Sequence, residues 1–123
     1  MKQRKVAVVD RTPDIACMYS DILSTDGVNV IYIPVTPPQD ILDRIKRERP
    51  NLVLMTASFS PQGRTKEGLE LLTQLQDVPV VIAHSGTKYK SDAELLGAKD
   101  YFEGIIPINE IRERILNALK SQS

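Results

Sequence analysis

Five times along the chain, a short apolar run rich in β-branched or aromatic residues is followed by a stretch with helical spacing. The runs fall at 4–10, 28–34, 51–57, 79–84 and 100–103. The first four read as strands buried on both faces, because they lack the in-out alternation of a half-solvated sheet. The intervening stretches read as helices over 13–26, 38–49, 66–76, 91–96 and 109–120. In the first, Ile15, Met18, Tyr19, Ile22 and Leu23 form one apolar stripe, with Thr12 as N-cap and Pro13 at the first helical position. Ser91 and Glu94 have capping-box spacing, Gly97 suits a C-cap, and Asn109 can cap the last helix. Strictly alternating strands and helices, joined by right-handed crossovers, give a parallel five-stranded sheet with helices on both faces.

At 123 residues the chain is sized for one domain over 1–123, with residues 121–123 as a tail. Sixteen basic and sixteen acidic residues leave no net charge. That argues against direct nucleic-acid binding and against a polybasic membrane anchor, both of which need a basic surplus. The opening "MKQRKVAVVD" is too poor in apolar residues for a signal peptide, and no stretch reaches the length of a membrane span, so a cytoplasmic protein is expected. One cysteine, Cys17, rules out a disulfide framework, and one histidine, His84, rules out a multi-histidine metal site. Cys17 lies among apolar residues and reads as a core or edge thiol with no cation run to activate it.

Chemistry in such a sheet belongs at the carboxyl ends of the strands. There the chain offers Asp10-Arg11, Thr56, His84-Ser85 and Gly104. Magnesium usually takes more than one carboxylate, and Arg11 adds a positive charge beside Asp10, so Asp10 reads as an ion-pair partner or a loop cap. His84 and Ser85 are adjacent on a strand, point to opposite faces, and have no carboxylate placed to orient the imidazole. A hydrolase built on them lacks a complete constellation, and a structural histidine is the simpler reading. Gly63 and Gly68 match neither the dinucleotide-binding nor the P-loop spacing. Arg11, Arg64, Lys66, Lys88 and Lys90 fall in loops on this same edge and outnumber Asp10, Glu67 and Asp92. That rim is either ordinary solvated charge or a surface that attracts an anion.

Over nearly its full length the sequence resembles the receiver domain of two-component response regulators. The resemblance is carried in order by "VAVVDRTPDI", "RPNLVLMT", "GLELLTQLQDVPVVIAHS" and "GAKDYFEG", with an insertion within 57–66. It implies a flavodoxin-like (CheY-like) doubly wound sheet, (βα)5, of strand order 2-1-3-4-5. It also implies a phosphoacceptor aspartate at the end of the third strand, where this chain has Thr56. The acidic pair for magnesium becomes Asp10 and Arg11. The switch hydroxyl becomes His84, and the phosphoryl-binding lysine becomes Gly104, followed by Ile105 in place of proline. The aromatic switch position is kept as Tyr101.

A threonine hydroxyl cannot form an acyl phosphate, and a pocket of Asp10, Arg11, Thr56, His84 and Gly104 has little to neutralise a transferring phosphoryl group. The resemblance therefore implies a pseudo-receiver, not an enzyme, needing no cofactor or metal. Its partner would be a protein: a kinase, a regulator, or a second copy in a monomer or weak homodimer. The expected contact face is Lys88, Tyr89, Lys90, Glu94, Lys99, Tyr101, Glu103 and Arg112, with the two tyrosines as aromatic anchors. The alternative is a small-ligand-binding α/β domain for an anion or for cobalamin. "GVNVIYIPVTPPQDIL" with "LVLMTASFS" also resembles cobalamin-binding domains, although the histidine motif that ligates cobalt is missing after the first strand.

Overall fold

The computed structural model describes residues 4–83 and 86–120, so the expectations for His84, Ser85 and the tail at 121–123 lie outside the described residues. Ten elements alternate: β1 (Arg4–Asp10), α1 (Pro13–Ile22), β2 (Val28–Pro34), α2 (Pro38–Glu48), β3 (Leu52–Met55), α3 (Glu67–Leu72), β4 (Val80–Ala83), α4 (Lys90–Leu95), β5 (Asp100–Phe102) and α5 (Ile108–Lys120). The five strands form one parallel sheet in the order β2-β1-β3-β4-β5, as the resemblance implied.

Strand pleating sorts the core into two layers. Ala7, Val9, Val53, Met55, Ile82 and Tyr101 point to one face and pack with Ile41, Ile45, Leu69, Leu72 and Ala93 from α2, α3 and α4. Val6, Val8, Leu52, Leu54, Val81 and Phe102 point to the other and pack with Ala16, Tyr19, Ile115 and Leu119 from α1 and α5. The sheet is thus covered on both sides, which is why β1, β3 and β4 read as continuous apolar runs. β2 departs from the expected full burial. It is an edge strand paired only with β1, and only Ile33 along it is buried.

The element ends differ in ways that local contacts explain. α1 stops at Ile22 rather than 26, where Leu23 caps it by donating its N–H to Tyr19 O. α2 stops at Glu48. Its cap residue Arg49 takes a left-handed conformation (φ 52°), and the next residue is Pro50, which disfavours helix before it. α3 is shorter than expected, six residues instead of 66–76. The Ser91–Glu94 capping box does not form: α4 begins at Lys90 with Tyr89 in the cap position and no side-chain cap bond. α5 begins at Ile108, and the N–H groups of Glu110 and Ile111 donate to the Pro107 carbonyl, which leaves Asn109 inside the first turn rather than at the cap. Cys17 is exposed on α1, so its core reading falls. The apolar stripe of α1 turns its neighbours inward and this position outward.

Candidate functional site

In register, Val9 lies beside Met55 and Met55 beside Ile82. This brings the strand ends Asp10, Thr56 and Ala83 to one level at the carboxyl edge of the sheet. A cleft of about 630 Å³ opens there. Asp10, Arg11, Thr12 and Ile15 form one wall, Thr56 and Ser58 the floor, residues 60–63 a second wall, and Lys88 with Tyr89 a third.

Asp10 is buried and serves as a loop cap. Its Oδ1 accepts the backbone N–H of Arg11 at 2.7 Å and of Thr12 at 3.4 Å. Its carbonyl accepts from the Tyr32 hydroxyl at 3.1 Å and the Val35 N–H at 3.2 Å. Burial, and secondarily the Asp10 charge, raises both the Tyr19 and the Tyr32 hydroxyl above the usual tyrosine range. The capping role matches one of the two readings of Asp10 from the sequence. Among the described residues that line the cleft Asp10 is the lone carboxylate and Arg11 follows it in the chain, a donor set poor in the oxygen ligands that magnesium takes.

Thr56 is also buried, and its hydroxyl is already donated to the Ser58 carbonyl. The segment that follows is held by short-range polar bonds. Ser58 Oγ accepts the N–H of Thr65 at 3.1 Å and of Ser60 at 3.3 Å, and donates to Thr65 Oγ1 at 3.0 Å, whose own proton goes to Glu67. Glu67 Oε1 receives the Phe59 N–H at 3.1 Å and the Thr65 hydroxyl. Burial alone would raise the Glu67 carboxyl, but the bonds from Thr65 and from the backbone N–H groups of Glu67 and Phe59 outweigh it and lower its pKa. Gly68 N–H donates to the Ala57 carbonyl at 2.9 Å, closing α3 onto the end of β3. A Cβ at Gly68 would lie 1.9 Å from the Thr56 carbonyl oxygen, so only glycine permits this approach.

Of the expected pocket residues, Asp10, Arg11 and Thr56 line one cleft. Gly104 is not among the residues that line it and instead makes an exposed left-handed turn (φ 69°) after β5. The basic rim divides. Lys66 pairs with Asp92 at 3.9 Å and Lys90 with Glu103 at 3.4 Å. Arg11 and Lys88 line the cleft, and Arg64 stays outside its lining.

Two expected contact residues are turned inward. Tyr89 is 3% exposed and donates its hydroxyl to the Gly63 carbonyl, while Tyr101 is 4% exposed and donates to the Gly86 carbonyl at 2.6 Å. Their rings fill the core layer under α4, so neither presents an aromatic anchor to a partner in this conformation. Lys88, Lys90, Glu94 and Lys99 are exposed. Arg112 is bound in a bidentate pair to Asp26, at 2.9 and 2.5 Å. What the sequence reading missed is apolar: Leu95, Leu96, Ile105 and Ile108 stand exposed on and beside α4 and the β5–α5 loop. Their signal lay in "EGIIPI", where three isoleucines crowd into a loop.

No protein-family model matches the chain. A curated relative, protein-glutamate methylesterase/protein-glutamine glutaminase 2 of Vibrio vulnificus (strain YJ016), is 30% identical over 105 residues, covering 82% of this chain and 30% of the relative. The chain thus spans under a third of that protein's length. Among solved structures, a response regulator from Thermotoga maritima superposes with a TM-score of 0.79 at 22% identity, covering 98% of this chain and all of that one. A CheY-like response regulator receiver domain protein from Methanospirillum hungatei JF-1 gives 0.79 at 20% identity, over 98% of this chain and 97% of that one. The BeF3-activated N-terminal receiver domain of RstA from Klebsiella pneumoniae gives 0.77 at 22% identity, over 96% of this chain and all of that one. The fold is that of the response-regulator receiver domains.

Proposed function

From this receiver fold we propose that the chain forms a signalling module that acts by protein contact without being phosphorylated. The observation that carries the reading is Thr56: it directly follows β3, where the phosphoacceptor would stand, and its hydroxyl is spent on the Ser58 carbonyl. Its neighbours support this. Asp10 is occupied as a loop cap beside Arg11, and Gly104 stands where a lysine would grip a phosphoryl group. Among the described residues of the cleft no nucleophile is paired with an oriented base, and we read the module as non-enzymatic.

The contact face runs over α4 and the β5–α5 loop. Lys88, Lys90, Glu94 and Lys99 offer charge, and Leu95, Ile105 and Ile108 offer apolar area. Exposed apolar residues rimmed by charge suit a protein surface better than nucleic acid. Among the described residues no helix is long and apolar enough to cross a membrane. We place the module in the cytoplasm, with a kinase, a regulator or a second copy as its partner.

The test is an NMR titration with magnesium and beryllofluoride, a phosphoryl mimic. The amides of Asp10, Arg11 and Thr56 are expected to stay unmoved. Saturable shifts confined to those residues would overturn the reading.

A further inference from the structure

The cleft at the carboxyl edge has properties that a signalling surface does not need. Its volume, about 630 Å³, lies within the range of small-molecule sites, and it sits where doubly wound sheets bind ligands. Its charge is unbalanced. Of the described residues that line it, Arg11 and Lys88 are cationic and Asp10 alone is anionic. Their neighbours on the same rim, Lys66 and Lys90, each have a carboxylate partner. Arg11 and Lys88 have no ion pair among the described residues. Arg64 on this rim is likewise without an ion pair among those residues but lies outside the lining, and Lys88 stands 5.3 Å from the Tyr89 ring, so the cleft itself holds two cations with no carboxylate paired to either.

The rest of the lining narrows the ligand. A bare inorganic anion would be drawn to Arg11 and Lys88, but it would fill little of the space and gain nothing from the far wall. Asp10 repels an anion and accepts hydroxyl protons; an ionised carboxylate has about four acceptor positions, and its Oδ1 serves two backbone N–H groups. Ser60 and Gln62 add a hydroxyl and an amide; the Ser60 hydroxyl donates to the Gln62 amide oxygen at 3.4 Å and accepts the Arg64 N–H at 3.3 Å, long bonds that leave acceptor positions and the Gln62 amide N–H groups to pair with sugar hydroxyls. Two cations for a doubly charged group, with a carboxylate and neutral polar groups for hydroxyls, match a phosphorylated polyhydroxyl compound.

We propose that this cleft binds a phosphomonoester of a hydroxylated small molecule, a sugar phosphate or a nucleoside monophosphate. The phosphate lies between Arg11 and Lys88, and the hydroxyls face Asp10 and the 60–63 wall. The site shares Lys88 with the contact face but none of that face's exposed apolar residues, and Arg11 belongs to the cleft alone, so Arg11→Gln tests the ligand site apart from the protein-contact reading.

The test is amide-shift titration and calorimetry with four probes: ribose 5-phosphate, adenosine 5′-monophosphate, inorganic phosphate and ribose. Saturable shifts at Thr12, Gly63 and Lys88 are expected with one or both esters, with ribose silent and inorganic phosphate at least about tenfold weaker. A preference for the adenosine ester assigns a nucleotide, and equal binding assigns the sugar phosphate. Arg11→Gln and Lys88→Gln alter exposed side chains, and each is expected to weaken ester binding by about tenfold or more, as loss of a charge-assisted hydrogen bond does. Three results would overturn the proposal: no saturable shift from either ester, inorganic phosphate binding as tightly as the esters, or unchanged affinity in both variants.

Discussion

The hydroxyl of Tyr89, at the cap of α4, donates to the carbonyl of Gly63 in the loop after β3, twenty-six residues away. Two loops that each flank the cleft are thereby tied together, and the tie crosses no strand. Tyr101 makes a parallel bond to Gly86 from β5. The β4–α4 connection is thus gripped on both sides by buried phenols.

Tyr89→Phe removes that bond and keeps the ring. A loss of about 1 kcal/mol of stability is expected, the net worth of one buried hydrogen bond. Urea unfolding measures it, and amide exchange should quicken in 60–65 ahead of the strands. Uniform exchange across the domain would show that the loops are held by other means.

Gly68→Ala tests the closure of α3 on β3. The added Cβ has nowhere to go, because the obstacle is the Thr56 backbone rather than a side chain. A loss of about 1–3 kcal/mol is expected. The same change at Gly104, which is exposed with open space around it, meets only the cost of a left-handed alanine. Comparison of the two urea midpoints separates crowding from backbone strain.

Arg114 clamps the edge strand: it binds Asp100 at 2.8 and 2.5 Å and the Tyr101 carbonyl at 2.9 Å, and stacks 4.8 Å from the Phe102 ring. Arg114→Ala is expected to cost about 2 kcal/mol, chiefly from stranding the half-buried carboxylate. Arg114→Lys should restore only part of this, since a lysine cannot make the fork.

Two arginine-paired carboxyls, Asp26 and Asp100, contribute to the acid limit alongside Glu67. Hydrogen bonding from Arg112 lowers Asp26 below its ordinary 3.8. Burial would raise Asp100, but the bonds from Arg114 and the Tyr101 N–H outweigh it and lower it too. A carboxyl depressed by folding stabilises above its unfolded value and loses that contribution as the pH falls through its folded value. Stability should therefore drop as pH falls below 3.8, and in Asp26→Asn/Asp100→Asn that drop should be shallower. Equal slopes for variant and parent would remove these two carboxyls as the cause.

Cys17 is exposed on α1 and should react with a thiol reagent in the native state, one equivalent per chain, at close to the rate of the urea-unfolded protein. Protection until unfolding would place it back in the core.

Periodicity carried the architecture, because burial on both faces leaves a signature that neighbouring residues share. Val6 to Val9 and Leu52 to Met55 could be read as central strands from their own composition. Capping could not be read in this way. Ser91 and Glu94 have the right spacing, yet Tyr89 takes the cap position because its ring is buried under α4, a tertiary demand invisible in a local motif. The tyrosines show the same limit: nothing in "TKYKSD" says that the aromatic side chain turns inward while both lysines turn out. The cleft was half legible. Asp10, Arg11 and Thr56 follow from strand ends, but the wall at 60–63 belongs to an insertion whose path is decided by Ser58, Thr65 and Glu67.

The Thr56–Ser58 bond also bears on time. An acyl phosphate stores a signal covalently and erases it by hydrolysis, so its lifetime is a chemical clock kept by the protein. On the function proposed above, a strand end whose hydroxyl is locked onto its own backbone keeps no such clock. Any state such a module adopts on contact would last as long as the contact does. Its duration is then a dissociation rate, and its strength follows the concentration of whatever binds it.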